Sequence, residues 1–456
     1  MSWGDDGLLV AHADRGIERI SPDGQRKEML IAALPGEAVT APVMLPGGRA
    51  VMFTTLAGGL GNRTGERRVV VQRLGTSDRK VIIENGGDAV YVSTGHIVYA
   101  SGGTLFAVPF DVERLETFGT SQNVVEGVRR NAVLLPVSQF AVSRNGSLFY
   151  IAGSTSGDGA TDLELALVDR HGSVTRLKSP LGGYEAPRVS PDGRYLAVGS
   201  DNGQDAIVWI HDLLNSMSLR RLTLEGRNRF PVWSHDGARV VYQSDRDGDR
   251  ALFWQRADGS GTVERLTPRD PKLEYIPESV SPDGRDLLAA VNDGSRTTLS
   301  LLTLGDRSIA PFGSVTSLFP TGAAFSPDGR WVAYAVKRDL KTNAAVFVQP
   351  FPADGTVYPV SSDDDGHHPM WSRDGRELFY VPGPQRLVSV RVDTTKGFAF
   401  STPQPAAPAG IQGPVQIVRN SDPLRDGSRF AAVVYSGAAS SQGIHAVLNW
   451  SRELRK

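Results

Sequence analysis

Apolar and polar residues alternate in short runs along most of the chain. RYLAVGS (194–200), ARVVYQS (238–244), RDLLAAV (285–291), RWVAYAV (330–336) and RELFYVP (376–382) are short, aliphatic or aromatic, and mostly alternating. A period of two sends successive side chains to opposite faces, so each run predicts a strand. A tetrapeptide stands immediately before each run: SPDG at 190–193, SHDG at 234–237, SPDG at 281–284, SPDG at 326–329 and SRDG at 372–375. Ser and Asp side chains bond nearby amides, Pro presets φ and Gly supplies a positive φ, which together predict a tight reversal. Trp233, Phe325 and Trp371 precede the turn serine and end a strand of their own. A third apolar run follows about ten residues later, as in AIVWIHDL (206–213) or AAVFVQPF (344–351), and a more polar fourth in several copies, as in LRRLTL (219–224) and VERLTP (263–268). No segment carries a helical period.

The turn glycines Gly193, Gly237, Gly284, Gly329 and Gly375 are 44, 47, 45 and 46 residues apart. Weaker copies at Gly7, Gly48, Gly95, Gly146 and Gly427 bring the series to ten, while the SPDG at 21–24 falls off the period and reads as a hairpin turn within the first repeat. Each period is a four-stranded antiparallel meander, which cannot cover both of its faces alone and must stack around an axis. The fold class is therefore all-β, a β-propeller of about ten four-stranded blades.

The ordered set WGDDG (3–7), GTLFAVPFD (103–111), SPDGRWVAY (326–334), WSRDGRELFY (371–380) and AVLNW (446–450) resembles the TolB-like (WD-type) propeller repeat over essentially the whole chain. It is similar in particular to the propeller regions that follow the kinase domain and membrane helix of bacterial eukaryotic-type serine/threonine protein kinases. The chain has no Gly-rich nucleotide loop, HRD or DFG triplet or membrane helix, so the resemblance carries over neither kinase activity nor anchorage. It implies a recognition role on the extracytoplasmic side of a bacterial membrane, and further repeats ahead of WGDDG.

TolB-like rings are typically six-bladed, and the copies from Gly193 to Gly427 number six. That predicts an N-terminal set of blades over 1–160, forming a partial ring, and a six-bladed ring over 161–456; one larger ring of eight to ten blades is the alternative. The last copy supplies an inner strand, FAAVVY (430–435) and HAVLNW (445–450), but no outer strand. LELALVDR or VTRLKSP, between 163 and 180, is expected to complete that blade as a latch, because a propeller that closes this way leaves no free edge. An unclosed partial ring predicts pairing between chains through open blade edges. The Pro/Ala/Gly-rich stretch 401–414 and the segment GGLGNRTGE (58–66) read as loops.

Composition narrows the chemistry. Lys and Arg number 49 against 50 Asp and Glu, a net charge of -1, which provides no field for a nucleic-acid backbone. The absence of cysteine removes thiolate metal sites, disulfides and a cysteine nucleophile. The first residues show no basic stretch followed by an apolar one, so no secretory leader is expected, and no apolar run approaches a membrane span.

Propellers act at the axial channel or at the loops over one face. Aligned on the turn serine, Glu185, Arg229, Thr321 and His367 occupy equivalent places, with Asp88, Gln139, Tyr275 and His368 close by. This polar ring is the expected binding site at the channel mouth for a protein, a peptide or a small ligand. His367 and His368 follow Asp363, Asp364 and Asp365, a set whose imidazoles and carboxylates suit zinc or another divalent metal. The bland alternative is a solvated loop, and on an extended chain adjacent histidines point to opposite faces. Asp245, Asp247 and Asp249 offer carboxylates for calcium but lack the glycine and glutamate of a calcium loop, and they read more simply as a polar turn. No G-x-S-x-G elbow is present, GSTSG (153–157) having threonine at the nucleophile position. Trp209, Trp233, Trp254, Trp331 and Trp371 are expected in blade cores.

The sequence therefore points to a non-catalytic recognition module, the sensor or scaffold portion of a bacterial signalling protein. Its alternative is a hydrolase of lactones, esters or phosphoesters using a channel-bound divalent metal, with His367, His368, Glu185 and Asp88 as candidate ligands.

Overall fold

Each turn signal becomes the corner of an antiparallel sheet in the computed structural model. It describes residues 1–456 apart from 5–6, 58–66, 132–136, 144–146, 153–162, 181, 202–204, 215–218, 340–341, 362–364, 384–385, 396, 408–418, 437–443, 449 and 451–456. The loop at 58–66, GSTSG, the turn glycine Gly146, residues 408–414, Asp363 and Asp364 thus lie outside the described residues. The described residues hold strands and turns and no α-helix.

The SPDG corner works through its side chains. Ser190 Oγ donates to Asp192 Oδ1 at 2.5 Å and accepts the Tyr195 N–H at 2.8 Å, while the Gly193 N–H closes onto Ser190 O at 2.9 Å. Gly193 sits at φ 79°, where any side chain is strained. Ser234, Ser281, Ser326 and Ser372 make the same pair of hydroxyl bonds. The SPDG at 21–24 joins Gly16–Ile20 to Lys27–Ala32, the third and fourth strands of the first sheet.

The chain divides into two compact units, Met1–Thr161 with Ala438–Lys456, and Asp162–Gly437. The first holds four blade sheets. Two are four-stranded, from Ser2–Gly4 to Lys27–Ala32 and from Glu37–Met44 to Arg79–Glu84; the third runs from Gly87–Val92 to Gln122–Val125. The fourth consists of Phe140–Val142, Leu148–Ile151 and Ile444–Val447.

The second unit is a six-bladed propeller. The inner strands of its first five blades are Tyr184–Val189, Asn228–Trp233, Glu274–Val280, Ala324–Phe325 and Gly366–Trp371, each leading outward through its sheet in chain order. The sixth blade is composite: Ser421–Pro423 and Arg429–Tyr435 come from the end of the unit, and Leu163–Asp169 and Val174–Arg176 from its beginning. Leu163–Asp169 pairs with Arg429–Tyr435 along all seven residues, so both candidate latch segments serve in one blade. Each inner strand touches that of the next blade, and the sixth touches the first, closing the ring.

The expected grouping of FAAVVY with HAVLNW does not occur. HAVLNW contributes Ile444–Val447 to the first unit, paired with Leu148–Ile151, and Trp450 packs there against Val92, Val98 and Leu148. The physical reason is competition for one sheet edge. Leu163, Leu165, Ala166 and Val168 are fully buried against the partner strand, an apolar surface that the polar-flanked HAV segment cannot match.

Adjacent blades of the second unit pack face to face. Val208 and Ile210 meet Trp233, Tyr242 and Phe253 between the first and second blades, and Trp331 meets Trp371, Tyr380 and Phe398 between the fourth and fifth. Trp233, Trp331 and Trp371 are core residues, while Trp209 and Trp254 are half-buried.

Candidate functional site

Where the inner strands start, they carry an irregularity that the sequence did not announce. Ala186, Phe230 and His368 have φ of 51°, 55° and 55°, and at each the pairing register slips: between Glu185 and Arg188, between Arg229 and Val232, and between His367 and Met370. Gly322 supplies the equivalent positive φ, 59°, in the fourth blade. A bulge bends its strand and re-aims the side chains on either side of it. Pro187, Pro231 and Pro369 follow these bulged residues.

The bulges turn the expected ligand ring into blade-to-blade ties. Glu185, 1% exposed, accepts from Arg229 Nε at 2.8 Å and from Arg229 Nη2 at 2.5 Å, which links the first and second blades. Arg229 also lies 3.5 Å from Asp201, whose two oxygens accept from Arg227 at 3.0 Å. Thr321, fully buried, donates to Glu278 Oε2 at 2.6 Å, and the N–H groups of Gly322 and Ala323 donate to the same carboxylate at 2.8 Å. Burial nevertheless pushes the Glu278 carboxyl above its ordinary range, outweighing these donors. Tyr275 is in the core between the second and third blades with Val241, Leu252 and Leu287, and burial raises its phenol.

Asp88 and Gln139 belong to the first unit. Asp88, at φ 55°, accepts from Arg67 at 2.9 Å and from the Ser138 N–H at 2.8 Å. Gln139 is half-buried, its backbone bonded to Arg129 and Ile151.

His367 and His368 are inner-strand residues of the fifth blade and not members of a solvated loop. The bulge also defeats the expectation that they face opposite ways: their rings meet edge to face with centroids 4.5 Å apart. Burial lowers the His367 pKa, and its Nδ1 has no hydrogen-bond partner among the described residues. Asp365 accepts the Ala344 N–H and lies 3.7 Å from Lys337. Among the described residues no three His, Asp or Glu side chains gather as a metal site. The Glu185 and Asp88 carboxylates, considered as further ligands, are directed at guanidinium groups. The calcium candidate fares similarly, because Arg265 takes both oxygens of Asp249 and one of Asp247.

The alignment at five residues before the turn serine passed over a second polar set, closer to the turn. Arg188 Nη1 donates to Pro187 O at 2.9 Å and to Arg419 O at 3.3 Å, bridging the first and sixth blades. Asp422 of the sixth blade pairs with Arg419 at 2.9 Å and accepts the Val189 N–H at 2.8 Å. Arg373, from the fifth-blade corner, donates to Val189 O at 3.1 Å and Ser190 O at 3.3 Å. Glu278 of the third blade is among the charges that Arg188 feels, after Arg419 and Asp422. The available signal was positional: Arg188 stands two residues before Ser190, and Asp422 two before Leu424, which starts the corresponding corner.

Residues 164–309 match the family described as the TolB beta propeller domain. The Tol-Pal system protein TolB of Francisella tularensis is 26% identical over 263 residues, 56% of this chain and 56% of that protein. A Bacillus subtilis protein named as an uncharacterized peptidase, YuxL, is 28% identical over 206 residues, covering 42% of this chain and 28% of its own length. The chain thus spans about half the length, or less, of these curated relatives. Among solved structures, TolB from Acinetobacter baumannii aligns over 70% of this chain and 81% of its own with a TM-score of 0.39 and 16% identity. With its periodic SPDG corners, its four-stranded blades and this family match over residues 164–309, the chain is an all-β protein whose second unit is a β-propeller similar to the TolB propeller domain.

Proposed function

We propose that the chain is a non-catalytic recognition module, the sensor or scaffold part of a bacterial signalling protein, which takes a protein or peptide segment at the axial mouth of the second unit. The observation that carries this reading is the fixed set of polar ties along the inner strands of that ring. Glu185 to Arg229, Glu278 to Thr321, Asp422 to Val189 and Arg373 to Val189 and Ser190 tie neighbouring and facing inner strands together. A surface whose polar groups are held before the partner arrives loses little conformational freedom on binding. The resemblance to kinase-linked propellers and the Tol-Pal name of the F. tularensis relative favour a protein partner and an extracytoplasmic setting. No helix among the described residues is long and apolar enough to cross a membrane.

A photo-crosslinking amino acid placed in turn at Arg373, at the rim, and at Arg256, on the outer part of the second blade, tests the reading in cells producing the full chain. One discrete protein adduct from the rim position and none from Arg256 is the expected result; equal adducts from both positions contradict it. The meeting of the His367 and His368 rings favours a second reading, a metal-dependent hydrolase. Elemental analysis joined to a panel of lactones, esters and phosphoesters, with and without chelator, separates the two. Stoichiometric metal and turnover lost together in chelator would support the hydrolase.

A further inference from the structure

The axis of the second unit holds more cationic donors than its acids satisfy. Arg188 is 8% exposed and makes no ion pair among the described residues; its Nη1 serves two carbonyls and its Nε has no partner. Arg419 shares Asp422 with the backbone of the first blade, and among the described residues its buried Nε is likewise unpartnered. Arg373, exposed to solvent, adds a third guanidinium beside Val189. Against these three stand Asp422 and Glu278, and the Glu278 oxygens are occupied by Thr321, Gly322 and Ala323. The two open Nε–H donors belong to residues in direct contact through the Arg188 bond to Arg419 O.

A buried guanidinium without a counter-ion is costly. Desolvation, reinforced by repulsion from Arg419, weakens the proton affinity of Arg188 well below that of a free guanidinium. An oxyanion lying against both arginines relieves desolvation and repulsion together and fits guanidinium geometry. Beside Asp422 and Glu278 a monoanionic carboxylate meets less repulsion than a dianionic phosphate.

We propose that Arg188 and Arg419 form a carboxylate-binding site at the axis of the second unit, which takes an acidic side chain of the segment recognised at the mouth. This rests on the recognition reading above and adds the chemistry that is recognised. A free carboxylate has the same group, so the test uses both sources.

The arginine Nε–Hε resonances of the full chain are followed by NMR during titration with sodium acetate, with sodium chloride at equal ionic strength, and with acetyl-Gly-Glu-Gly-amide and its Gln counterpart. Saturable shifts of the Arg188 and Arg419 signals with acetate and with the Glu peptide, absent with chloride and with the Gln peptide, are expected. Arg419→Gln should weaken the Glu peptide at least tenfold, while Arg256→Gln, at an exposed pair with Asp258, should leave it unchanged. Arg419→Gln is the primary variant because Arg188→Gln removes two carbonyl contacts and risks misfolding; the titration of the unmodified chain stands in either case. Equal shifts with chloride, equal binding of the Gln peptide, or an unaffected Arg419→Gln protein would each overturn the site. Those results leave the rim crosslink from Arg373 standing, whereas loss of that crosslink with acetate binding intact would strike the recognition reading instead.

Discussion

The Glu185–Arg229 pair shows what single residues do in this ring. Both side chains are buried, and the two bonds span two blades, so the pair sets how those blades meet. Breaking a buried pair from one side leaves an uncompensated charge, which costs about 3–5 kcal/mol. Arg229→Met should lower the unfolding free energy by about that amount in a denaturant titration, and the double variant with Glu185→Gln should recover a large part of it. A double variant no more stable than the single one would show that the pair is not coupled as described. His367 gives the pH-dependent counterpart. Its folded pKa lies below the ordinary 6.5 because burial disfavours the imidazolium. A base with a depressed folded pKa contributes stability above pH 6.5, lost as pH falls through its folded value. The fall in stability between pH 7 and pH 5 should therefore be smaller in His367→Asn, and an equal fall in both proteins would contradict the assignment. The residue types at these positions were legible in the sequence, since aligning on the turn serine found Glu185, Arg229, Thr321 and His367. Their roles were not, because a bulge with positive φ at Ala186, Phe230 and His368 is not a feature that β-branched or turn residues advertise. Only the recurring proline one residue later marks its place.

At the scale of elements, the corner and strand periodicity was readable because one tetrapeptide chemistry repeats: a serine hydroxyl, an aspartate acceptor and a glycine at positive φ. The latch was readable for a different reason. Six inner strands with only five complete blades leave one blade short of partners, and Leu163–Asp169 has the burial pattern of a missing middle strand. The destination of HAVLNW was not readable, since a short apolar run fits any open edge, and its partner Leu148–Ile151 lies some 300 residues away in sequence. The composite blade makes a kinetic and a thermodynamic statement. Its two halves can protect each other's amides only when the chain ends of the unit meet, so their opening is one event. Hydrogen exchange should give Leu163–Asp169 and Arg429–Tyr435 the same opening free energy, and a substitution such as Ala432→Asp, at a fully buried position, should accelerate exchange in both. Faster exchange confined to Arg429–Tyr435 would mean that the two strands are not one ladder.

For the molecule as a whole, the proposed recognition depends on the second unit being a closed ring, because only closure brings Arg188, Glu278, Arg373, Arg419 and Asp422 from the first, third, fifth and sixth blades together. An open array would leave these groups along an edge, each solvated separately, with neither a fixed polar set nor buried donors to satisfy. The absence of native cysteine makes closure directly testable. Glu164 and Val434 are directly opposed across the latch, and residues so placed on neighbouring strands fall within disulfide reach. The double variant Glu164→Cys with Val434→Cys, oxidised in dilute solution, should form an internal disulfide in a chain of monomeric mass; two free thiols, or disulfides only between chains, would contradict the closed ring.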